Sequence, residues 1–409
     1  MGVNDGTVIG ATLVLDNGSP ADRFNLVLVA EGYRQGELKK FADDVDFFVG
    51  GMFDQAPYDE FPCAINVYRV DVASTESGAN DPASCGGTGA TPKTYFDATF
   101  CTGGVRRALT ANTGLAINVV SGLVPQFHSV QILVNSPIYG GTGGQVGVSS
   151  TSTKKDDGTP VDWREILIHE MGHSIYGLAD EYEYYQGCTS GEGGHDVWSG
   201  GEPSKPNITA SKTAQGKWAD LITASALPTT KNANCSQCDP QGNPGSGDFS
   251  PVGTYEGAGY YHCGLYRPQF FCKMRKLDFP FCAVCQRVIR EYLLPFDPSF
   301  CAKRKPRDLG KWAAIATVLF GVIQDGGGVV FVGGKPIPID PWGPLRQSLW
   351  GVLSNPYESP AAMRDVLVGI AMSELSSLVS SAADRKALQA VVRKVMDKAV
   401  GALPEGTIR

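Results

Sequence analysis

The feature that most constrains this chain is a short segment carrying two of its five histidines, His169 and His173. Residues four apart project from the same face of an α-helix, so the two imidazoles can bind one metal ion together. Glu170 lies about 100° around the helix from His169, so its carboxylate can reach a water on that metal without displacing a histidine. The spacing therefore predicts a helix that carries a hydrolytic zinc site.

Local signals place the ends of this helix on either side of the histidines. Asp162 can accept a hydrogen bond from the first turn, and Glu165 three residues later is its expected capping-box partner. Gly177 can supply the left-handed residue that commonly ends a helix. The early turns also have an apolar side, formed by Trp163, Ile166, Leu167 and Ile168. The pattern predicts a helix that is buried along one side.

A third metal ligand must follow the helix, because a catalytic zinc has three protein ligands and one open position. Asp180, just past Gly177, is the predicted ligand. Glu181 and Glu183 are the alternatives if the turn is wider. The competing interpretation is an ordinary amphipathic helix with exposed or hydrogen-bonded histidines. The cap, the histidine spacing, the glycine and the following acids together disfavour it.

Length and charge limit the functions open to the chain. Its 409 residues, 42% of them hydrophobic, can bury a large core, and the length suggests two or three domains. The formal net charge of −7 provides no basic surface for nucleic acid or for an anionic membrane. The longest apolar run, residues 313–323, is shorter than the ~18 residues that a membrane span needs. We therefore expect no nucleic-acid partner and no membrane span.

The cysteine content favours an oxidising compartment, because 11 cysteines are many for a cytosolic enzyme. The first residues, Met1–Asp5, contain neither the basic region nor the apolar core of a signal peptide. We therefore expect a secreted or periplasmic protein whose signal peptide has been removed. Cys85 and Cys101 bracket a loop-like stretch rich in Ser, Gly, Asn and Pro, and a disulfide between them would tie that loop down.

Two further cysteine pairs have the spacing of metal ligands, Cys235-x-x-Cys238 and Cys282-x-x-Cys285. Together they could form a structural four-cysteine zinc site. Disulfides are the favoured alternative in an exported protein with other cysteines nearby. The odd total leaves at least one thiol unpaired within the chain.

The N-terminal half reads as an α/β unit. Residues 25–30 form an apolar run typical of a buried strand, a helix is expected over residues 37–52, and residues 65–72 alternate with the period of a strand. Other expected elements are a short N-terminal hairpin or edge element within residues 1–24, helices over 103–110 and 113–124, and a strand over 130–135. The alternation of strands and helices predicts a sheet with helices packed on it.

A glycine-rich segment, residues 140–150, directly precedes the histidine helix. No Lys-Ser or Lys-Thr follows it, and its glycine spacing fits no nucleotide-binding fingerprint. We interpret it as an edge strand with exposed backbone groups, which could pair with an extended peptide.

Composition divides the chain into two predicted regions. Residues 1–305 form one predicted domain, which includes a Cys-rich loop region over 187–250 that lines or covers a cleft. Residues 306–409 form a smaller, mainly helical C-terminal region without a catalytic constellation. Within it we expect a hairpin or extended strap over residues 326–341 and amphipathic helices from 359 and over 384–400.

Several segments of the chain resemble the IgA-peptidase family of secreted bacterial zinc metallopeptidases, which is metzincin-like. The resemblance spans roughly residues 25–295. It is carried by Glu31-Gly32-Tyr33, Ile65–Val70, Ser74–Ala79, Thr94–Ala98, Val134–Ser136, Tyr139–Gly141, His169–Tyr182 and Glu256–Tyr261.

The resemblance implies a zinc metalloendopeptidase that acts on a protein or peptide, with the family name pointing to immunoglobulin. It implies an α/β metzincin-like domain, a twisted mixed sheet with an active-site helix, followed by the mainly helical C-terminal part. His169, His173 and Asp180 would bind Zn²⁺, and Glu170 would be the general base. The wider metzincin pattern has its glycine three residues after the second histidine, whereas here Gly177 follows His173 by four.

The resemblance also implies a methionine beneath the zinc and a hydrogen-bond donor for the developing oxyanion. Met274 stands where that methionine is expected. The tyrosine usual two residues later is absent, so Tyr260, Tyr261 and Tyr266 become the candidates, with Tyr261 and Tyr266 assigned as catalytic. His262 is the one further histidine near them in the sequence, and it could support the site indirectly.

Two other functions compete with the endopeptidase. The first is a secreted zinc-containing binding or adhesion protein that keeps the site without cleaving. The second is a zinc amidase acting on cell-wall peptide. Chelator-sensitive cleavage of peptides separates the first from an enzyme, and mapping of the cleaved bonds separates the second.

Overall fold

The computed structural model describes residues 5–184, 196–235, 251–298, 329–332 and 335–338, and five helical positions at 368, 386, 389, 390 and 393. The chain divides into two compact units, residues 1–48 with 55–301 and residues 49–54 with 302–409. The boundary predicted at residue 305 lies outside the described residues and stays a prediction, as does the mainly helical character of the C-terminal part.

The first unit is built on a six-stranded mixed sheet with the strand order β1-β3-β2-β4-β6-β5. The four central strands β3, β2, β4 and β6 are parallel, whereas β1 and β5 run antiparallel at the two edges. The strands are β1 (Gly6–Leu15), β2 (Phe24–Glu31), β3 (Ile65–Ser74), β4 (Ser129–Val134), β5 (Gly141–Thr142) and β6 (Gly147–Ser150). The predicted α/β class is confirmed at this level.

Helices cover both faces of the sheet. They are α1 (Leu38–Phe53), α2 (Thr113–Leu123), α3 (Trp163–Ser174) and α4 (Ala283–Leu293). Val130 and Ile132 of β4 belong to the core cluster that includes residues of α2. Gln131 between them points to the opposite face, because side chains alternate along a strand, and there its amide donates to Ser174 of α3 at 3.0 Å. The histidine helix therefore lies across the sheet from α2.

The described residues also form two hairpins. Strands β7 (Tyr255–Ala258) and β8 (Tyr261–Arg267) pair antiparallel through a two-residue turn. Strands β9 (Val329–Val332) and β10 (Lys335–Pro338) pair antiparallel where the hairpin in the C-terminal region was expected. The helices predicted from 359 and over 384–400 lie outside the described residues apart from the five helical positions. None of the described helices is long and apolar enough to cross a membrane.

One local expectation is confirmed and one was wrong. The N-terminal segment is an edge element rather than a hairpin, because it forms one strand at the edge of the sheet that pairs with β3 along its length, with a register shift at Gly10. Residues 103–110 form no helix, since only the single 3-10 turn Thr102–Gly104 is present there and two of its glycines have positive φ.

The segment Glu31-Gly32-Tyr33 joins the end of β2 to the loop that follows β3. The buried carboxylate of Glu31 accepts hydrogen bonds from the main-chain N–H groups of Phe96 and Ala98, both at 2.9 Å. Gly32 has a φ of 68°, and its carbonyl accepts the N–H of Gly78 at 3.1 Å. These contacts make the segment a structural anchor for a long loop rather than part of the metal site.

Replacement of Gly32 by alanine is expected to destabilise the fold. An added Cβ would lie 2.1 Å from the carbonyl oxygen of Gly78, and the left-handed backbone is itself unfavourable for alanine. We expect Gly32→Ala to lower the free energy of unfolding by about 2–4 kcal/mol in urea titrations. The matched control is Gly36→Ala, where an added Cβ meets no atom within 4 Å. Equal unfolding midpoints for the two variants would contradict the assignment.

Candidate metal centre

Helix α3 carries the two histidines, and local contacts define both of its ends. Asp162 caps the N-terminus, as predicted, by accepting the N–H of Arg164 at 3.0 Å. Glu165 is no capping-box partner, because its carboxylate instead accepts hydrogen bonds from Gln55 and from the ammonium of Lys273. The helix ends at Ser174, and Gly177, with a φ of 65°, turns the chain back.

The two histidines expose the same nitrogen toward a common point. Nδ1 of His169 lies 3.0 Å from the carbonyl oxygen of Lys273, and Nδ1 of His173 lies 2.8 Å from that of Leu178. A carbonyl oxygen can only accept, so each Nδ1 carries a proton, and Nε2 is the nitrogen of each ring that can offer a lone pair once it is unprotonated. This is the orientation in which histidines bind metals, with the second nitrogen held by a hydrogen bond.

Asp180 completes a triangle of potential ligand atoms. Its Oδ1 lies 3.1 Å from Nε2 of His169 and 3.3 Å from Nε2 of His173, and the two Nε2 atoms are 3.2 Å apart. Zinc bonds of about 2.0–2.1 Å in tetrahedral geometry separate neighbouring ligand atoms by about 3.3–3.4 Å. Oδ1 of Asp180 is also buried without a hydrogen-bond partner. The three atoms therefore fit a single zinc-sized cation.

Electrostatics in this triangle favour positive charge. Burial disfavours ionisation of Asp180, but the two imidazoles outweigh it and hold the pKa of this carboxyl well below its usual range. Burial also opposes the charged form of His173, yet Asp180 and Glu170 raise its pKa to about 9. A proton on His173 therefore places positive charge next to Asp180 and Glu170, as a bound metal ion would.

The alternative ligands Glu181 and Glu183 point elsewhere. The carboxylate of Glu181 accepts the side-chain amide of Asn207 at 2.9 Å and lies beside a group of cysteines. Glu183 forms ion pairs with Arg267 and Arg275 at 3.2 and 3.1 Å. Among the three acids after Gly177, the structure thus brings Asp180 to the histidine pair.

Glu170 lies at the same site and is almost completely buried, with 7% of its surface exposed. One ligand atom each from His169, Glu170 and His173 fall within 4.8 Å of one another. Burial raises the pKa of Glu170, and this brings a carboxylate closer to the range in which it can accept and return a proton near neutral pH.

The glycine-rich segment packs directly on the histidine helix. A Cβ on Gly141 would lie 3.0 Å from Oε1 of Glu170, and one on Gly143 would lie 2.4 Å from Cβ of His173. Residues 141 and 142 form the edge strand β5, whereas residues 147–150 form β6, which is buried between β4 and β5, so the predicted edge is limited to the first part of the segment. The glycines therefore allow a backbone to approach the two key side chains more closely than any other residue would.

Met274 is fully buried beneath α3. A Cβ on Gly172 would lie 2.6 Å from the sulfur of Met274, so the thioether occupies the space beside the helix between the two histidines. The N–H of Glu181 donates to the carbonyl of Met274 at 2.8 Å, and the preceding carbonyl, of Lys273, holds His169. The methionine loop thus supports both the helix and the segment that carries Asp180.

Of the candidate tyrosines, Tyr260 is the one whose hydroxyl reaches the triangle. It donates to Oδ2 of Asp180 at 2.5 Å, from the β7–β8 turn, where its own φ is 72°. Tyr261 instead packs its ring against Trp198 at 5.0 Å, and Tyr266 donates to Glu256 at 3.3 Å. The catalytic role of Tyr261 and Tyr266 stays a prediction, and Tyr260 is the candidate whose hydroxyl contacts a predicted metal ligand. Gly259-Tyr260 between two strand patterns is a turn signal that could have directed attention to Tyr260.

His262 packs against Tyr184. It is buried, and its ring stacks on that of Tyr184 at 5.7 Å. The part of the site that sequence reasoning missed altogether is the pair of main-chain carbonyls, from Lys273 and Leu178, that orient the two histidines.

Comparison with known proteins agrees with the resemblance carried by the sequence segments. No curated protein matches the chain. The family model described as IgA Peptidase M64 matches residues 13–237 and 246–293, which include β2, the glycine-rich segment, the histidine helix, Asp180 and Met274. The chain therefore belongs to the IgA peptidase M64 family and is a peptidase that acts on peptide or protein substrates.

Proposed function

We propose that this peptidase is a zinc-dependent endopeptidase whose metal is held by His169, His173 and Asp180. The observation that supports it is the triangle of three potential ligand atoms, 3.1–3.3 Å apart, beside the buried carboxylate of Glu170. Nitrogen and oxygen ligands of this kind suit zinc, and three protein ligands leave one position open. A methionine packed beneath the helix is in keeping with a metzincin-like site.

Glu170 is the proposed general base. A bound zinc ion would polarise the scissile carbonyl and acidify a coordinated water. Glu170 would accept the proton from the attacking water and deliver it to the leaving amine. Its burial against Gly141 keeps its carboxylate in one place, next to the edge strand.

Tyr260 is the proposed positioning residue for Asp180. Its hydroxyl engages Oδ2, so Oδ1 is the oxygen that faces the two histidines. A tyrosine with positive φ costs about 1–2 kcal/mol of backbone strain, and the hydrogen bond to a carboxylate offsets part of that cost.

The substrate would lie extended along the glycine-rich edge. The N–H of Gly141 already donates to the carbonyl of Arg107 at 3.1 Å, so the edge open to a peptide begins at Thr142. Residues 143–145 are exposed and lie in the connection from β5 to β6, where Gly143 approaches His173. A strand added there would pass the metal triangle, and main-chain pairing would accept many sequences. Immunoglobulin stays a predicted substrate, which cleavage assays test directly.

We further propose that the protein acts outside the cytoplasm. Cys85 is bonded to Cys101, as predicted, and Cys235 is bonded to Cys263. Disulfides of this kind persist mainly in oxidising compartments.

Replacing the proposed base separates catalysis from metal binding. Glu170→Gln keeps the size of the side chain but removes the proton acceptor, so we expect kcat to fall by about 10²–10⁴-fold. Zinc content, measured by elemental analysis, should stay at the wild-type level. Cleavage of an unbiased peptide library, with and without a chelator, is the assay.

The matched control is Glu291→Gln, an exposed glutamate on α4, which should cleave like the wild type. Full activity of Glu170→Gln would end the proposed mechanism. Bound zinc without chelator-sensitive cleavage in the wild type would instead favour the non-catalytic binding protein.

Paired tyrosine variants test how Asp180 is positioned. Loss of the hydroxyl in Tyr260→Phe frees Oδ2 of Asp180, and we expect zinc affinity to fall by about 10–100-fold. Tyr261→Phe keeps its ring contact with Trp198 and should have the smaller effect. Competition with a zinc-sensitive chelating dye gives the two dissociation constants. The reverse order of effects would restore Tyr261 as the functional tyrosine.

Metal binding should displace a proton from His173. With a pKa raised to about 9 in the metal-free protein, His173 is charged at pH 7 and must lose its proton before Nε2 can bind a metal. Apparent zinc affinity should therefore rise up to about tenfold per pH unit below pH 9 and level off above it. Calorimetry at pH 7 in two buffers with different ionisation enthalpies measures the released proton. Proton release that is absent at pH 7, or unchanged at pH 10, contradicts the assignment.

A further inference from the structure

A second group of potential metal ligands lies behind the first. It consists of Glu181, Cys272, Cys282 and Cys285, which we call the thiol cluster. All four side chains are buried, with at most 3% of any of them exposed. The three cysteines are reduced, whereas Cys85, Cys101, Cys235 and Cys263 are in disulfides. This arrangement replaces the expectation of a Cys235/Cys238/Cys282/Cys285 site and that of disulfides at Cys282 and Cys285; Cys238 lies outside the described residues.

The spacing within the thiol cluster is that of a tetrahedral metal site. The sulfurs of Cys272 and Cys285 are 3.7 Å apart, and Oε1 of Glu181 lies 3.7 Å from the sulfur of Cys282 and 3.3 Å from that of Cys285. Zinc–sulfur bonds of about 2.3 Å in tetrahedral geometry separate two sulfurs by about 3.8 Å, and a sulfur from a carboxylate oxygen by about 3.5 Å. The separation of Cys272 and Cys285 is far longer than the ~2.05 Å of a disulfide.

The backbone around the cluster is arranged to receive negative sulfur. The N–H of Cys282 donates to the sulfur of Cys272 at 3.2 Å, and the N–H of Cys285 donates to the sulfur of Cys282 at 3.5 Å. Cys282 is the N-cap of α4, so the positive end of that helix dipole faces the cluster. Both features favour thiolates over thiols.

Glu181 supplies a buried oxygen that lacks a partner. Its Oε1 accepts a hydrogen bond from Asn207, but Oε2 is buried with no hydrogen-bond partner. A buried carboxylate with an unsatisfied oxygen is costly unless it coordinates a cation or takes up a proton. Three sulfurs and this carboxylate together provide a complete set of four ligands.

We propose that the thiol cluster binds one thiophilic divalent cation, Zn²⁺ by its chemistry, as a closed structural site. Thiolate ligands select zinc over magnesium, calcium or manganese, and four buried protein ligands leave no position for a substrate. The inference concerns a metal separate from the one in the His169–His173–Asp180 triangle, and it does not depend on peptide hydrolysis.

A metal in the thiol cluster would hold the first site in shape. Glu181 is bonded to Asp180 through the chain, and Cys272 precedes Lys273, whose carbonyl orients His169. One ion would therefore fasten the segment of Asp180 to the Met274 loop and to the start of α4. Such a cross-link acts like a disulfide but joins three segments at once.

Cobalt substitution distinguishes the two sites, because only cobalt bound to thiolate gives an intense sulfur-to-metal charge-transfer band in the near ultraviolet. The test uses the full chain without a histidine tag, with His169→Ala/His173→Ala to remove the first site. This variant should bind one Co²⁺ per chain with the charge-transfer band, and zinc-loaded wild type should contain two zinc ions. Cys285→Ser in the same background should lose the band, whereas the disulfide variant Cys85→Ser/Cys101→Ser should keep it.

Native mass spectrometry of the wild type makes the test independent of how the variants fold. A wild-type chain mass that includes two zinc ions supports the proposal. A mass with no metal beyond the first site, or a disulfide between any two of Cys272, Cys282 and Cys285, overturns it. A wild type that keeps the thiol-bound metal but lacks the other would instead count against the proposed peptidase site.

Discussion

The constraint on which the centre depends is the pair of hydrogen bonds from the histidine Nδ1 atoms to main-chain carbonyls. Once Lys273 and Leu178 hold those protons, both Nε2 atoms must face one point, together with Oδ1 of Asp180. Three electron-rich atoms within 3.3 Å repel one another unless positive charge lies between them. The fold thus creates a point at which a cation would be stabilised by the surrounding atoms.

Three segments of the chain form the site around that point. The loop after α3 supplies Asp180, the β7–β8 turn supplies Tyr260, and the Met274 loop supplies the carbonyl for His169. They are joined to one another by short contacts, such as the 2.8 Å hydrogen bond from the N–H of Glu181 to the carbonyl of Met274. Movement of any one segment would therefore be felt at the metal triangle, as is usual for residues just outside a metal site.

The sequence alone predicts features that depend on the spacing of neighbouring residues. It does not predict contacts with residues that are distant in the sequence. A separation of four residues on a helix places His169 beside His173 whatever surrounds them, and the alternation in residues 65–72 predicts a strand for the same reason. Whether Asp180 or Glu181 turns inward depends on Asn207, on the cysteines and on Tyr260, none of which is near in sequence. Glu165 illustrates the same limit, since tertiary contacts with Gln55 and Lys273 replaced its expected local role.

Glycine is needed at two positions near the site because neighbouring atoms lie too close for a Cβ, not because the backbone must be flexible there. Gly143 and Gly172 lie where a Cβ would collide with His173 and with Met274, respectively. A larger residue at either position would push away the edge strand or the methionine, and the helix would lose one of its two supports. The edge strand and the histidine helix are therefore in direct contact, with no intervening layer of side chains. Under the proposed function, a peptide paired with that edge would lie next to Glu170 and His173.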